Sequence, residues 1–404
     1  MNNPTLQARP AAVVSLSRCF AAFGIMVALG VAHAVAATAK IAVMAPLSGS
    51  QIAIGTDVQQ GAELALTQRQ ADFAKLGIDL QLTTLDDGGE AVRGVDQMAV
   101  ALKDPAVLGL VGPVNSGVTL KVAESVSATP LAIISPTSVT DELTQQGWNY
   151  FSRIIAPNSA QANVAAQYIA SSLHVGRVYI VSDNQTFGNG LAKQLQANLE
   201  VRKVTVVGFN GVAAATDPAA LKFTLAQIVA AKPDLVFYAG THEDGAALLR
   251  SIRAAGLKML FMGGQSLDTP AFIRLAQDDA GGVMYVSGYG PVASFSNRFR
   301  FVEQFQAAYK HPPQIRSVFA YDAMNVMLDA VQNTFRANGG RLPTRAELIP
   351  AVRKVNLTAF RAVTGPISLS ANGERLSTPM FVIGLDSKTL LQNVLYVSRY
   401  HSPR

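Results

Sequence analysis

Cysteine and tryptophan occur once each in these 404 residues, at Cys19 and Trp148, and histidine only five times. A single thiol excludes an internal disulfide and any metal or redox motif built on paired cysteines. Charged residues are scarce at 15% while hydrophobic ones reach 49%, which excludes charge-driven disorder and points to well-packed cores. The formal net charge is +6, but Lys and Arg are scattered, with no basic run and no basic–aromatic interleaving. That pattern argues against a nucleic-acid partner. Catalytic and cofactor signatures are missing too. There is no G-x-G-x-x-G after the first strand, no G-x-x-x-x-G-K, no G-x-S-x-G and no H-E-x-x-H. No cofactor, no metal and no enzyme activity are expected.

Long apolar runs are also few. The stretch 20–31 follows Arg9 and Arg18 and precedes two small-x-small triplets, Ala32-His33-Ala34 and Ala34-Val35-Ala36. It has the length of a signal-peptide core and is short for a membrane span. Residues 1–36 therefore read as a signal peptide, cleaved near Ala34 or Ala36, that sends the chain to the periplasm. Cys19 lies ahead of the apolar run and follows Arg18, the wrong place for a lipid-modified cysteine. No later segment reads as a span.

What is present is a rhythm. Short apolar strands at 41–44, 80–85, 108–111 and 131–135 alternate with helical patterns at 56–73, 91–102 and 116–126. The alternation restarts, with strands at 178–181, 204–209, 235–238, 259–262 and 283–286 and helices at 159–173, 191–199, 218–230 and 244–255. Strands alternating with helices imply βαβ crossovers and parallel sheets. Two sets of similar size predict an α/β fold of two similar, three-layer, doubly wound lobes. Residues 153–157 read as an extended connector between them. Long helices at 297–310, 317–333 and 344–355 and strands at 365–369 and 380–385 are too few for a third domain. The expected organisation is 38–157 plus 288–364 for lobe 1, and 158–287 plus 365–404 for lobe 2. Three crossings of this kind make a hinge.

Seven strands run directly into turns rich in Gly, Ser, Asp or Asn, among them Asn115-Ser116-Gly117, Ser135-Pro136-Thr137-Ser138, Gly240-Thr241-His242 and Gly263-Gly264-Gln265-Ser266. Ligands of open parallel sheets bind outside the carboxyl ends of the strands. Small hydrogen-bonding groups placed there grip a small molecule and offer little acid–base or nucleophilic chemistry. Asn115-Ser116-Gly117 opens a helix, so its free N–H groups and hydroxyl suit both capping and a bound carboxylate. The histidines add little. His33 falls in the leader, His311 in a surface loop, and His401 in a tail expected to fray. His174 is expected at a helix C-terminus. His242 stands at a strand end, where Glu243 and Asp244 most commonly serve a helix N-terminus.

Lys40-Ile41-Ala42-Val43-Met44-Ala45-Pro46-Leu47-Ser48-Gly49, then Gly61-Ala62-Glu63-Leu64-Ala65, Asp86-Asp87, Val111-Gly112-Pro113, Ile134-Ser135-Pro136, Phe187-Gly188, Ala254-Ala255-Gly256-Leu257 and Tyr321-Asp322-Ala323 follow in order. In this the chain resembles the branched-chain amino-acid-binding proteins, the type I periplasmic solute-binding proteins of ABC importers, over nearly its whole length after the leader. The resemblance implies two lobes joined by three crossovers, a small-molecule ligand clasped between them, and an inner-membrane ABC permease as partner. It also implies a monomer with no catalytic activity. A ligand sensor built on the same clamp is the main rival, and an exported hydrolase, lacking a nucleophile–base pair, the weaker one.

By position, the family's carboxylate-holding serine matches Ser116, beside Asn115. Its threonine falls at Val139, with Thr137 and Ser138 close by. Its two tyrosines fall at Phe187 and Thr241, and its first-lobe aromatic wall near Ile54. The glutamate that neutralises the ligand ammonium falls at Gln265, and a nearby aspartate at Asn158. An ammonium buried without a carboxylate partner is costly. The two losses together imply a ligand without a free α-ammonium: a neutral amide, or a carboxylate with an apolar body. Arg316 falls near the family's pocket wall, and the commoner fate of such a residue is a solvated helix-start arginine.

Overall fold

The computed structural model describes residues 36–213 and 216–402, so the expected signal peptide lies outside the described residues. The first sheet is built from β1 (Ala37–Ala45), β2 (Ile78–Asp86), β3 (Val107–Val111), β4 (Ala132–Ser135) and β5 (Phe151–Arg153). Its order is β2-β1-β3-β4-β5 and every pairing is parallel. β3 and β4 are buried along their whole length, as strands covered on both faces must be. The connecting helices are α1 (Ile52–Ala74), α2 (Ala91–Ala101), α3 (Ser116–Ser125) and the one-turn α4 (Glu142–Gln145).

The second sheet repeats the plan. It uses β6 (Arg177–Ser182), β7 (Thr205–Gly211), β8 (Leu235–Ala239), β9 (Leu260–Gly263) and β10 (Met284–Ser287). Between them run α5 (Asn158–Ser171), which leads in, then α6 (Thr186–Val201), α7 (Pro218–Ala231), α8 (His242–Ala254) and α9 (Pro270–Ala276). The later part of the chain adds α10 (Arg298–Tyr309), α11 (Ile315–Ala337) and α12 (Arg345–Lys354). A two-residue pair follows, β11 (Asn356–Leu357) against β12 (Ile367–Ser368), and then β13 (Ser377–Leu385) and β14 (Gln392–His401). The parallel strands lie in the order β7-β6-β8-β9-β10, and β13 and β14 extend that sheet antiparallel. Each lobe thus reverses strand order at one place, between β1 and β3 and between β6 and β8.

One apolar core gathers residues from Ala39 to Ile155 and from Tyr289 to Leu369. Two others, one on each face of the second sheet, gather residues from Ala156 to Val286 and from Met380 to Leu385. The chain passes from one set to the other three times: between Ile155 and Ala156, between Val286 and Tyr289, and between Leu369 and Met380. Ile367 and Leu369 still pack in the first core. In lobe 1, α1, α11 and α12 pack together, as do α2 and α3. Gly61 permits the closest of these approaches, since a Cβ there would stand 2.0 Å from the Ser317 carbonyl oxygen.

Three details differ from the sequence reading. Phe151–Arg153 forms an edge strand, β5, that the sequence reading did not expect, and its last residue is the first of the expected connector 153–157. His401 ends the ten-residue strand β14, paired with Ser377, instead of fraying. His174 lies beyond the last residue of α5, exposed and in the left-handed region with φ of 53°. Among the described residues no helix is long and apolar enough to cross a membrane.

Candidate functional site

Gly112 directly follows β3 with φ of +109°, and a Cβ there would meet the Met44 carbonyl oxygen at 2.3 Å. Only glycine lets the chain turn this tightly into Pro113, Val114 and the start of α3. Asn115 stands at the N-cap of α3 without capping it; its Nδ2 donates instead to Gln51 Oε1 at 3.0 Å. The first N–H groups of α3 are therefore left facing the space outside the sheet, where a helix terminus favours an anion. That space is a cavity of about 530 Å³, within the range of small-molecule sites.

Both switch points contribute to it. From lobe 1 come Gln51, Ile54, Asn115, Ser116, Thr137 and Val139, with Tyr289 and Arg316 from the later segments. From lobe 2 come Asp183, Phe187, Thr241, His242, Asp244 and Gln265. Eight of the ten residues singled out in the sequence line this one cleft: Ile54, Asn115, Ser116, Thr137, Val139, Phe187, Thr241 and Gln265. Ser138 and Asn158 are not among the lining residues. Ser138 is fully buried, donating to the carbonyls of Pro113 and Val114 and sitting 2.6 Å from Thr119 Oγ1. Asn158 is equally buried, its Nδ2 donating to the Phe187 carbonyl at 3.2 Å. Asp183, His242, Tyr289 and Gln51 also line the cleft. The turn carrying His242 was singled out in the sequence, as was the turn Ser182-Asp183-Asn184 among the seven that follow strands, whereas only the fold brings Tyr289 and Gln51 to the wall.

The lobe 1 wall is rigid. Ser116 Oγ accepts from the backbone N–H groups of Val139 and Thr140 at 3.2 and 3.3 Å, tying the turn after β4 to the start of α3. Thr137 Oγ1 donates to the Val114 carbonyl at 2.9 Å. On the other wall, Asp183 accepts from the N–H groups of Gln185 and Thr241, both at 2.9 Å. Burial raises its carboxyl to about 6, with Asp244 adding to the rise, against the lowering by those two N–H groups. His242 is buried with Nδ1 3.0 Å from Glu243 Oε2. Burial lowers its imidazole below the ordinary value despite Glu243, and Arg316 and Arg274 lower it further. Gln265 is 5% exposed, and its Oε1 is buried with no hydrogen-bond partner among the described residues.

Arg316 departs from expectation. It is 5% exposed, and its guanidinium donates to the carbonyls of Asp268 and Gln265 at 2.8 and 3.4 Å while lying 5.2 Å over the Tyr289 ring. The carboxylate of Asp57 holds the start of α11 inward by accepting from the N–H groups of Gln314 and Ser317. The arginine is thereby turned into the cleft and away from solvent. No group of three or more His, Cys, Asp or Glu among the described residues could hold a metal ion.

Residues 38–389 match the model of a family described as periplasmic binding protein. BraC3, a Leu/Ile/Val-binding protein of Rhizobium johnstonii, is 29% identical over 294 residues, which is 72% of this chain and 78% of that one. A leucine-binding protein, LivK, of Thermotoga maritima has a similar structure, with a TM-score of 0.79 at 24% identity over 89% of this chain and 98% of its own. A solute-binding protein of an ABC transporter from R. palustris, solved in complex with benzoate, gives 0.75 at 21% identity over 89% and 96%. At these identities the two structures establish a shared fold.

Proposed function

Because this chain belongs to the periplasmic binding protein family, we propose that it captures a small carboxylate or amide with an apolar body between its lobes. It releases that molecule unchanged to an ABC importer of the inner membrane. The observation that carries this reading is the pairing across the cleft. The open start of α3 faces a wall that carries Gln265, the residue that the family resemblance sets at the position of the ammonium-neutralising glutamate. The helix N-terminus and the Ser116 hydroxyl receive the carboxylate or carbonyl end. The Gln265 amide can donate or accept, but it cannot neutralise an ammonium.

Three acids line the cleft, of which Glu90 is exposed while Asp183 and Asp244 are already engaged. Both oxygens of Asp183 accept backbone N–H groups, and Asp244 accepts from Thr241 Oγ1 at 3.3 Å. Ile54, Val139 and Phe187 supply the apolar walls, and Phe187 packs against the cores of both lobes, so closure and ligand contact involve the same ring. Hydrolysis finds little support, since the partners of Ser116 Oγ are two backbone amides and not a general base.

The test is a thermal-shift screen of the purified protein with amino acids, short amides, aromatic acids and ureas. A binder present at 100 times its dissociation constant stabilises by about 2.7 kcal/mol. Stabilisation by aromatic acids or amides, with branched-chain amino acids inert, supports the proposed ligand class. Tight binding of leucine, isoleucine or valine defeats that class, and product appearing from a bound ester or amide defeats the binding reading itself.

A further inference from the structure

Arg316 and the turn 265–268 belong to different lobes, yet direct hydrogen bonds join them. The donor is fixed to lobe 1, because Asp57 of α1 holds the first turn of α11 through the N–H groups of Gln314 and Ser317, at 3.1 and 2.8 Å. The acceptors are fixed to lobe 2. The Gln265 N–H donates to Gln161 Oε1 of α5. The Asp268 carboxylate accepts from Ser287 of β10 and from Gln392 of β14, at 3.1 and 2.8 Å. Tyr289, on the segment crossing between the lobes, forms the floor beneath the guanidinium. Rigid elements on both sides mean that these bonds survive only while the cleft is shut.

We propose that Arg316 is a built-in latch on the closed cleft, holding lobe 2 through the carbonyls of Gln265 and Asp268 whether or not a ligand is present. A guanidinium keeps its charge at every working pH and donates in a rigid fork, so it suits two carbonyls spaced along one turn. Opening hands these groups to water, so the latch biases the equilibrium without locking it. The apparent dissociation constant of a ligand is its intrinsic value divided by the closed fraction. A latch therefore scales affinity for all ligands by one factor, whereas a residue that touches the ligand discriminates among them. The affinity arm of this inference rests on the proposed binding role of the cleft, and the ligand-free arm does not.

The experiment compares the wild-type protein with Arg316→Met, which keeps the aliphatic stem over Tyr289, and Arg316→Lys, which keeps the charge without the fork. Small-angle scattering of each is recorded ligand-free, alongside circular dichroism to confirm folding. The expected result is a larger ligand-free radius of gyration for Arg316→Met, with Arg316→Lys between it and the wild type. Any binder found by thermal shift should lose about tenfold in affinity to Arg316→Met, by the same factor for charged and neutral ligands. Identical ligand-free scattering for all three folded proteins overturns the latch. So does an affinity loss confined to carboxylate ligands, which makes Arg316 a direct anchor. A screen without any binder leaves the scattering result to decide the latch, and counts only against the proposed function.

Discussion

Arg153 and Glu374 form a buried ion pair where the first and third crossings of the chain run side by side. The arginine ends β5, and the glutamate lies between β12 and β13. The Arg153 N–H donates to the Gly373 carbonyl at 2.9 Å, and its guanidinium reaches the Thr140 carbonyl as well as Glu374. Glu374 in turn accepts from Thr144 of lobe 1 and from Tyr400 of β14 in lobe 2. One carboxylate therefore gathers both lobes and two of the three crossings at the hinge.

Glu374→Ala leaves Arg153 charged and uncompensated in a fully buried place, which for such pairs costs about 3–5 kcal/mol. Thermal melting of the ligand-free protein should show a large drop, and Arg153→Met combined with Glu374→Gln should recover part of it. A Glu374→Ala melting curve superimposable on the wild type would refute the structural role.

The same carboxylate sets an acid limit. Burial alone would raise Glu374, but Arg153 and the hydroxyls of Tyr400 and Thr144 outweigh it and hold the group below its ordinary 4.5. A lowered folded-state pKa stabilises the fold at pH values above the unfolded value and loses that contribution as pH falls through the folded one. Stability should thus decline below about pH 4.5, and the decline should be shallower in Glu374→Gln. A melting profile in which the two proteins lose stability in parallel from pH 5 to 3 would exclude Glu374 as its source.

The fold was legible in the sequence wherever a strand is covered on both faces. The apolar runs at Val107–Val111 and Leu235–Ala239 admit no other reading once helical patterns flank them. The missed strand β14 carries a period-2 signal, Val394, Tyr396, Ser398 and Tyr400, of which both tyrosines turn to the lobe 2 core. As an edge strand next to the chain end it lacks the flanking helix that marked the others. Site residues on turns after strands were legible for the same topological reason. Ser138 differed, because its neighbour Ser116 already takes the cleft position and the Ser138 hydroxyl is consumed by two carbonyls behind it. Arg316 was hidden because sequence shows neither the Asp57 cap that turns it inward nor the opposite-lobe carbonyls that receive it.

Asp183 makes binding depend on pH. Its carboxyl, raised to about 6 mainly by burial, lies in the cleft, and protonation removes a negative charge facing the ligand. His242 is lowered from its ordinary 6.5 by burial, and its protonation would add positive charge and act in the same direction, so the comparison with Asp183→Asn is what separates the two. Affinity for a carboxylate ligand should rise a few-fold between pH 7.5 and 5.5 in calorimetry, and Asp183→Asn should flatten that rise. A carboxylate dissociation constant that is the same at both pH values contradicts this assignment.

Gln265→Glu places a carboxylate in the cleft wall opposite the start of α3, where the family resemblance sets an ammonium-neutralising glutamate. Affinity for branched-chain amino acids should improve by at least tenfold, about 1.4 kcal/mol, while affinity for carboxylates without an ammonium should fall. Unchanged selectivity would mean that Gln265 does not face the variable end of the ligand.

Ser116→Ala separates the two tasks of one hydroxyl. The wild-type oxygen accepts two buried backbone N–H groups, so its loss leaves both unpaired, and each unsatisfied group costs about 1–3 kcal/mol. The melting temperature should fall for that reason alone, without ligand. If the hydroxyl also donates to the ligand, carboxylate affinity should fall further than amide affinity. Ile54→Ala, which removes apolar wall instead, should weaken both ligands alike. Equal losses for carboxylates and amides in Ser116→Ala would assign the serine to the scaffold and leave the carboxylate to the N–H groups of α3.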